Sequence, residues 1–369
     1  MTEPEPLQQV DRTYVRFRKR KLSYFSGCDY FRLASHPEVV AALKEGVEKY
    51  GLNVAASRLT TGNHVLYGEL EKRLAVFFDA ESALLVSGGY VTNLIVAQAL
   101  AGNFSHAIVD EKAHPSLSDA ARLLDCPVLT LKHQSPEDLE QVVRRCGPGA
   151  RLILLTDGMF AHDGSAAPLD HYSKVLSKDA LMLVDDAHGA GVLGKTGKGT
   201  LEHAGVSRKR IIQTTTLSKA FGAYGGAILC SKSFRQGILD RSKMFLGSTP
   251  LPLPLVNAAL RSVQILKSDE TLRQKLIAST NFVKSALIEA EKVLATTPGP
   301  IVPIISRSAR EATKTRRELL KTDIYPPLVK YATGPANGYF RFVISSEHTR
   351  EQLEGLLMAL TGTVGGKGC

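Results

Sequence analysis

The sequence predicts an α/β protein: a large domain on a mostly parallel sheet, followed by a smaller α+β domain. Three observations carry this. Seven short apolar runs, many β-branched, recur at residues 83–86, 107–109, 127–131, 152–156, 181–184, 211–215 and 227–230. They are continuous rather than alternating, as strands covered on both faces must be. Most are separated by enough chain for a helix, which parallel connections require.

The last two runs, 211–215 and 227–230, lie close together and are expected to form an antiparallel edge. From about residue 268 the rhythm changes. A long helical pattern over 270–295 precedes a strand at 301–305, a helix near 309–321, a strand at 339–344 and a closing helix from Thr349. The cluster Thr297, Pro298, Gly299 and Pro300 interrupts this smaller domain, and the glycine-rich end, 363–369, is expected to fray. The expected segmentation is an N-terminal segment 1–45, a large domain 46–267 and a small domain 268–369.

Composition narrows the class. Of 369 residues, 44% are hydrophobic and 22% charged, the balance of a globular protein with a sizeable core. No run reaches the length a membrane span needs, and residues 1–9 are acidic and polar where a secretory signal needs a basic end and an apolar stretch, so a cytoplasmic protein is expected. Cys28, Cys126, Cys146, Cys230 and Cys369 are scattered and never in a Cys-x-x-Cys pair, which suits reduced thiols rather than disulfides or a metal site. Forty-six Lys and Arg against 36 Asp and Glu leave a net charge of +10, which favours acidic ligands. The densest basic run, 16–21, is either solvated surface or a dock for a phosphorylated acyl donor such as coenzyme A or an acidic carrier protein. No nucleic-acid reading module is present, and no nucleic-acid partner is expected.

One glycine motif misleads. Residues 189–194 match a dinucleotide fingerprint, and 189–196 match a phosphate loop. Each needs a helix beginning at its end, but the chain continues Gly197, Lys198, Gly199, Thr200. Glycine costs about 1 kcal/mol in a helix interior, which disfavours that helix.

The chemistry sits at the C-terminal ends of the expected strands, where open α/β sheets hold ligands. After 181–184 come Asp185, Asp186, Ala187 and His188. A carboxylate fixed there can hold positive charge on a heteroaromatic nitrogen, and His188 can reach a neighbouring oxygen. After 211–215 come Thr216, Leu217, Ser218 and Lys219. A lysine enclosed among small residues can be deprotonated by desolvation and form a Schiff base. After 83–86 come Ser87, Gly88, Gly89, Tyr90, Val91, Thr92 and Asn93, a glycine turn into a helix that offers N–H groups to a phosphate. An acid for a pyridinium nitrogen, a lysine for an aldehyde and amides for a phosphate are the three demands of pyridoxal 5′-phosphate (PLP).

The stretch from about Ser23 to Ser346 resembles the α-oxoamine synthase family of fold-type I PLP enzymes. The resemblance implies that Lys219 carries the cofactor, Asp185 pairs with its ring nitrogen and His188 with its phenolic oxygen. It implies that His114, within Asp110 to Leu117, stacks on the ring, that Gly89, Tyr90 and Thr216 meet the phosphate, and that Thr249 reaches the phosphate of the opposite subunit of a homodimer. Arg341, between Phe340 and Phe342, matches the arginine that holds the amino-acid carboxylate. By residue alone, His114 could instead cap a helix, Arg341 could be a strand surface residue, and Thr249 could serve its own loop.

Departures leave the cofactor groups largely in place and alter the substrate-side wall, although Ala161 takes the place of a serine that the resemblance has bonding the cofactor oxygen. Cys28 and Arg32 stand where the family has asparagine and glycine, residues 53–57 replace a glycine-rich stretch, Tyr67 replaces a histidine, and Ala161 and His162 replace a serine and a methionine. The expected reaction is decarboxylative condensation of a small amino acid with an acyl thioester to an aminoketone. The alternatives are an aminotransferase, a binding subunit that keeps the fold without turnover, and a nucleotide-binding protein.

Overall fold

The computed structural model describes residues 5–292, 297–330, 335 and 337–362. The glycine-rich end, 363–369, and the last residues of the helix expected to reach 295 lie outside the described residues. Thirteen strands occur among the described residues: β1 Gln8–Asp11, β2 Tyr14–Phe17, β3 Arg20–Ser23, β4 Ser82–Val86, β5 His106–Asp110, β6 Val128–Leu131, β7 Leu152–Asp157, β8 Leu181–Asp185, β9 Ile211–Thr216, β10 Gly226–Cys230, β11 Ile301–Ile305, β12 Leu328–Val329 and β13 Tyr339–Val343.

The described residues of Leu33–Ala161 and Ser165–Glu270 form the larger of two compact units. Those of Met1–Arg32, His162–Gly164 and Thr271–Cys369 form the smaller. Residues 33–45, expected in a separate N-terminal segment, therefore fall in the larger unit: their helix Pro37–Tyr50 packs along Leu253–Ser268, with Asn257 donating to the carbonyl of Ala42 at 2.7 Å.

In the larger unit the seven strands run in the order β4-β10-β9-β8-β7-β5-β6. Every residue of β7, β9 and β10 is buried, which is why their sequences are apolar or hydroxyl-bearing apart from Asp157 and Gln213. The expected antiparallel edge is corrected in one respect. β10 pairs antiparallel with β9, but it also pairs antiparallel with β4 and so lies inside the sheet. The edges are β4 and β6, and only β6 exposes apolar residues such as Val128. Because β10 alone runs against its neighbours, β4, β5, β6, β7, β8 and β9 all end on the same side. Val86, Asp110, Asp157, Asp185 and Thr216 therefore line up along one rim, and the site is built there.

The smaller unit packs helices Thr271–Glu289 and Arg350–Thr361 against a sheet of order β11-β13-β12, with Phe25, Val283, Val302, Phe340, Phe342 and Leu353 in its core. It also carries the small antiparallel sheet β1-β2-β3. The β2–β3 hairpin turns at Arg18 (φ 46°) and Lys19 (φ 66°), so most of the basic run 16–21 is exposed, with Arg18 paired to Glu5 and Arg20 to Asp323.

His348 is buried in this unit and stacks on Phe25 with ring centroids 4.1 Å apart. Its Nδ1 accepts from the Ser345 amide at 3.0 Å, and its Nε2 lies 3.1 Å from the Tyr24 carbonyl, an arrangement that suits one neutral tautomer. Burial, aided by the charge of Arg32, pushes its pKa down from 6.5 to about 3. The unfolded chain therefore binds a proton that the folded protein refuses between those values, and the stability this supplies above pH 6.5 is lost as pH falls toward 3. Unfolding free energy is expected to drop by about 1.4 kcal/mol per pH unit from this group. Urea midpoints at pH 7 and pH 5 should differ more in the wild type than in His348→Gln, and equal differences would remove His348 as the cause.

Candidate active site

The rim residues converge in the larger unit. Asp185 closes β8 and is buried, its Oδ2 accepting from Asn93 Nδ2 at 2.6 Å and its Oδ1 from the Ala187 amide at 3.1 Å. Asn93 lies one turn into the helix Gly89–Leu100, and its Oδ1 accepts from Thr214 Oγ1 at 2.7 Å. That bond fixes the amide's orientation and turns its NH₂ to the carboxylate. Ser116 also faces Asn93, at 2.9 Å.

His114 follows β5 and caps the helix Pro115–Arg122, its Nδ1 accepting from the Ser116 amide at 3.3 Å and lying 2.7 Å from Ser116 Oγ. The capping role weighed from sequence is therefore real, and it is also what orients the ring beside Asp185's partners. Its own amide donates to Asp157 Oδ2 at 2.7 Å. The ring meets Tyr90 edge to face at 5.8 Å. Burial holds the imidazole pKa below its ordinary value, with Asp185 opposing and Lys219 assisting. The neutral ring is thereby favoured.

Asp157 ends β7 in register with Asp185. Burial first, and the charge of Asp185 second, raise its carboxyl well above the usual range. Two carboxyls on adjacent strand ends do not both ionise cheaply, and Asp157 is the one driven to keep its proton.

Lys219 follows β9 in a tight loop closed by Leu217 N to Gly225 O (2.9 Å) and Gly222 N to Lys219 O (2.9 Å). Its Nζ lies 2.8 Å from His188 Nε2. Thr216 shapes the loop, accepting from the Ser218 amide at 3.2 Å and donating to the Gly225 carbonyl at 3.1 Å. Gly89 abuts it: a Cβ there would stand 2.8 Å from Thr216 Cβ, so only glycine lets the helix start this close to the end of β9. No side chain caps that helix at Gly88, so its N-terminal amides and dipole point toward the rim. Tyr90, next along, is partly exposed and its hydroxyl bonds to Asp119.

Lys219, His188, Asp185, His114, Gly89, Tyr90 and Thr216 are thus all placed in one unit around the ends of β4, β5, β8 and β9. Thr249 is exposed, in a stretch that Tyr67 secures through its hydroxyl to the Leu251 carbonyl at 2.7 Å. Arg341 belongs to the smaller unit, at the centre of β13, buried with Nη2 3.5 Å from Cys28 Sγ. In the same unit Arg32 takes a left-handed backbone (φ 52°) and donates to the Tyr24 carbonyl at 3.1 Å, which explains how an arginine occupies a position that the resemblance gives to glycine.

Sequence reasoning missed Asn93, Ser116 and Asp157. The signal for Asn93 was its place four residues after Gly89, a spacing that returns to the same face of the helix. Ser116 and Asp157 carried no comparable signal, since a serine after a proline and an acid at a strand end both recur as local caps.

A lysine, a paired carboxylate and an open helix start at the C-terminal rim of such a sheet define the fold-type I PLP-dependent enzymes, and the fold is theirs. Residues 27–360 match the family described as aminotransferase class I and II, and the chain belongs to that family. It is similar to the 8-amino-7-oxononanoate synthase of Thioalkalivibrio sulfidiphilus, 35% identical over 350 residues, covering 94% of this chain and 89% of that one. It is also similar to 8-amino-7-oxononanoate synthase 1 of Bacillus subtilis, 30% identical over 359 residues, covering 97% and 92%. A serine palmitoyltransferase variant from S. paucimobilis, solved with bound PLP and myriocin, superposes with a TM-score of 0.91 at 25% identity, covering 98% of this chain and 92% of that one.

Proposed function

We propose that this protein joins a small amino acid to an acyl thioester, forming an aminoketone and releasing carbon dioxide and the free thiol, in the manner of the 8-amino-7-oxononanoate synthases to which it is similar. PLP is its cofactor. The observation that carries the proposal is the pairing of Lys219 with His188 at 2.8 Å beside a carboxylate, Asp185, whose orientation Asn93 fixes at 2.6 Å.

The residues present fit that cofactor. The glycine abutment at Gly89 and the uncapped helix start leave room and amides for a phosphate, with Thr216 and Tyr90 beside it. When bound, PLP supplies an aldehyde that captures an amino group and a ring that takes up the electron pair of a broken bond at the α-carbon. Asp185 would hold a proton on the ring nitrogen, and His188 would donate toward the phenolic oxygen. His114, whose imidazole pKa burial holds below its ordinary value, would align the ring. Lys219 Nζ is the atom that takes the α-proton from the amino acid and returns one to the product.

Arg341 holds the amino-acid carboxylate, since a guanidinium fork grips a carboxylate with two charge-assisted bonds. Arg341→Ala is expected to raise the dissociation constant for glycine or alanine by at least about tenfold while leaving PLP bound, the weight of a hydrogen bond to a charged group. Spectral titration with amino acid checks this, and unchanged affinity would remove Arg341 from the carboxylate site.

The active assembly is a cytoplasmic homodimer in which Thr249 of one subunit serves the other. Val47, Leu52, Leu59 and Val65 of the larger unit are exposed apolar side chains suited to such an interface. The surplus of positive charge favours an anionic acyl donor. The test of the function is a panel of glycine, alanine and serine with acyl coenzyme A. Equal yields of carbon dioxide and free thiol are expected, and conversion of the amino acid to its oxoacid without thiol release would make the protein an aminotransferase.

A further inference from the structure

The glycine-rich run 189–199 and the second acid of the Asp185-Asp186 pair are not used by the chemistry above. Asp186 is fully buried, and its carboxylate meets Thr200 and Gln213 where Asp185 meets Asn93, Ser116 and Ala187. Its Oδ1 accepts from Thr200 Oγ1 at 2.6 Å, and its Oδ2 accepts from the Thr200 amide at 2.9 Å and from Gln213 Nε2 at 2.6 Å. Gln213 is held in turn, its Oε1 accepting from Arg208 Nη2 at 2.7 Å, and the same Arg208 nitrogen donates to the Phe78 carbonyl at 2.7 Å. The glycines form the walls. A Cβ at Gly158, Gly189 or Gly199 would stand 2.5, 2.2 or 1.9 Å from an Asp186 carboxylate oxygen. The run that resembles a phosphate loop is thus wrapped around the protein's own carboxylate. The helix after it spans only Thr200–His203.

We propose that Asp186 is a positioning residue for the Lys219–His188 pair, its carboxylate clamping the 186–200 loop to β9 so that His188 is presented to the lysine. The connectivity supports this directly. Asp186 N donates to the Thr214 carbonyl and Ala190 N donates to the Asp186 carbonyl, both at 2.8 Å, so a single turn containing His188 is pinned at its two ends. The carboxylate ties that turn to Thr200 and, through Gln213, to the strand that leads into Lys219. All three side-chain contacts of the carboxylate are donors, so only the charged, correctly sized acid satisfies them together. Asparagine would set an NH₂ against donors, and glutamate would add a methylene to a cavity with no room for one.

The inference rests on the proposed function, and its test is chosen to fail separately. The probe is PLP added to apo-protein, with its dissociation constant read by absorbance and folding read by thermal melting. Thr200→Val keeps the shape and removes one donor, whereas Thr200→Ser restores it. Thr200→Val is expected to weaken PLP binding by about tenfold, the weight of one hydrogen bond to a charged group, with Thr200→Ser close to wild type and both folded. Asp186→Asn should weaken it further, and should it fail to fold the Thr200 pair still decides. Wild-type PLP affinity in folded Thr200→Val overturns the inference alone, because a merely structural bond would lower the melting temperature and leave cofactor affinity in place. A wild-type protein that binds no PLP overturns the proposed function and this inference with it.

Discussion

Lys219→Ala is expected to lower turnover by roughly 10⁴-fold, the upper end of what a positioned proton-transfer group contributes and about 5.4 kcal/mol of barrier. Among the described residues the neighbouring titratable groups are already engaged. His188, its partner at 2.8 Å, sits in a turn pinned at Asp186 and Ala190 and serves as the lysine's hydrogen-bonding partner. His114 spends Nδ1 on capping its helix, and Asp157 is driven by burial and by Asp185 to hold a proton. The variant should fold normally, because the bonds that close the loop come from its backbone and from Thr216, not from the Lys219 side chain. Steady-state release of thiol from acyl coenzyme A checks the prediction. A loss of less than about tenfold would mean that another group moves the α-proton.

The second large effect is at Asp185. Asp185→Asn is expected to slow exchange of the amino acid's α-proton by at least roughly 100-fold, about 2.7 kcal/mol of barrier. An amide in that place cannot stabilise a protonated ring nitrogen by charge, and its NH₂ would face the Asn93 donor now bonded at 2.6 Å. Deuterium exchange from solvent into glycine measures the step without an acyl donor. The adjacent acid cannot substitute, since Asp186 is turned into its own pocket of Thr200 and Gln213. Exchange near the wild-type rate in Asp185→Asn would therefore remove this carboxylate from the chemistry.

The seven strands of the larger sheet were legible because each is a continuous apolar or β-branched run, the pattern burial on both faces demands. Their order was not. Short separation in sequence marks β9 and β10 as partners, but nothing local to β10 tells that its other neighbour is β4, some 140 residues earlier. The β2–β3 hairpin was hidden for a different reason. A two-residue turn with both φ values positive is usually announced by Asn-Gly or Asp-Gly, and here Arg18 and Lys19 occupy it, so the run looked like solvated charge.

At the site, the groups with one chemical purpose could be read because lysine, acid and glycine turn each follow a recognisable strand. Their supports could not. Asn93 reaches Asp185 across 92 residues and Thr214 reaches Asn93 across 121, and such pairings exist only once the sheet has formed. The glycine run's resemblance to a phosphate loop could be read from spacing, but its packing around Asp186 is visible only in three dimensions.

Lys219 is the residue proposed to hold PLP. Borohydride reduction of the PLP-loaded protein, followed by proteolysis and mass mapping of the pyridoxyl peptide, tests this most directly. The label is expected on Lys219, in the peptide containing Ser218 and Ala220, and a label on any other lysine, or none after saturation with PLP, would contradict the account.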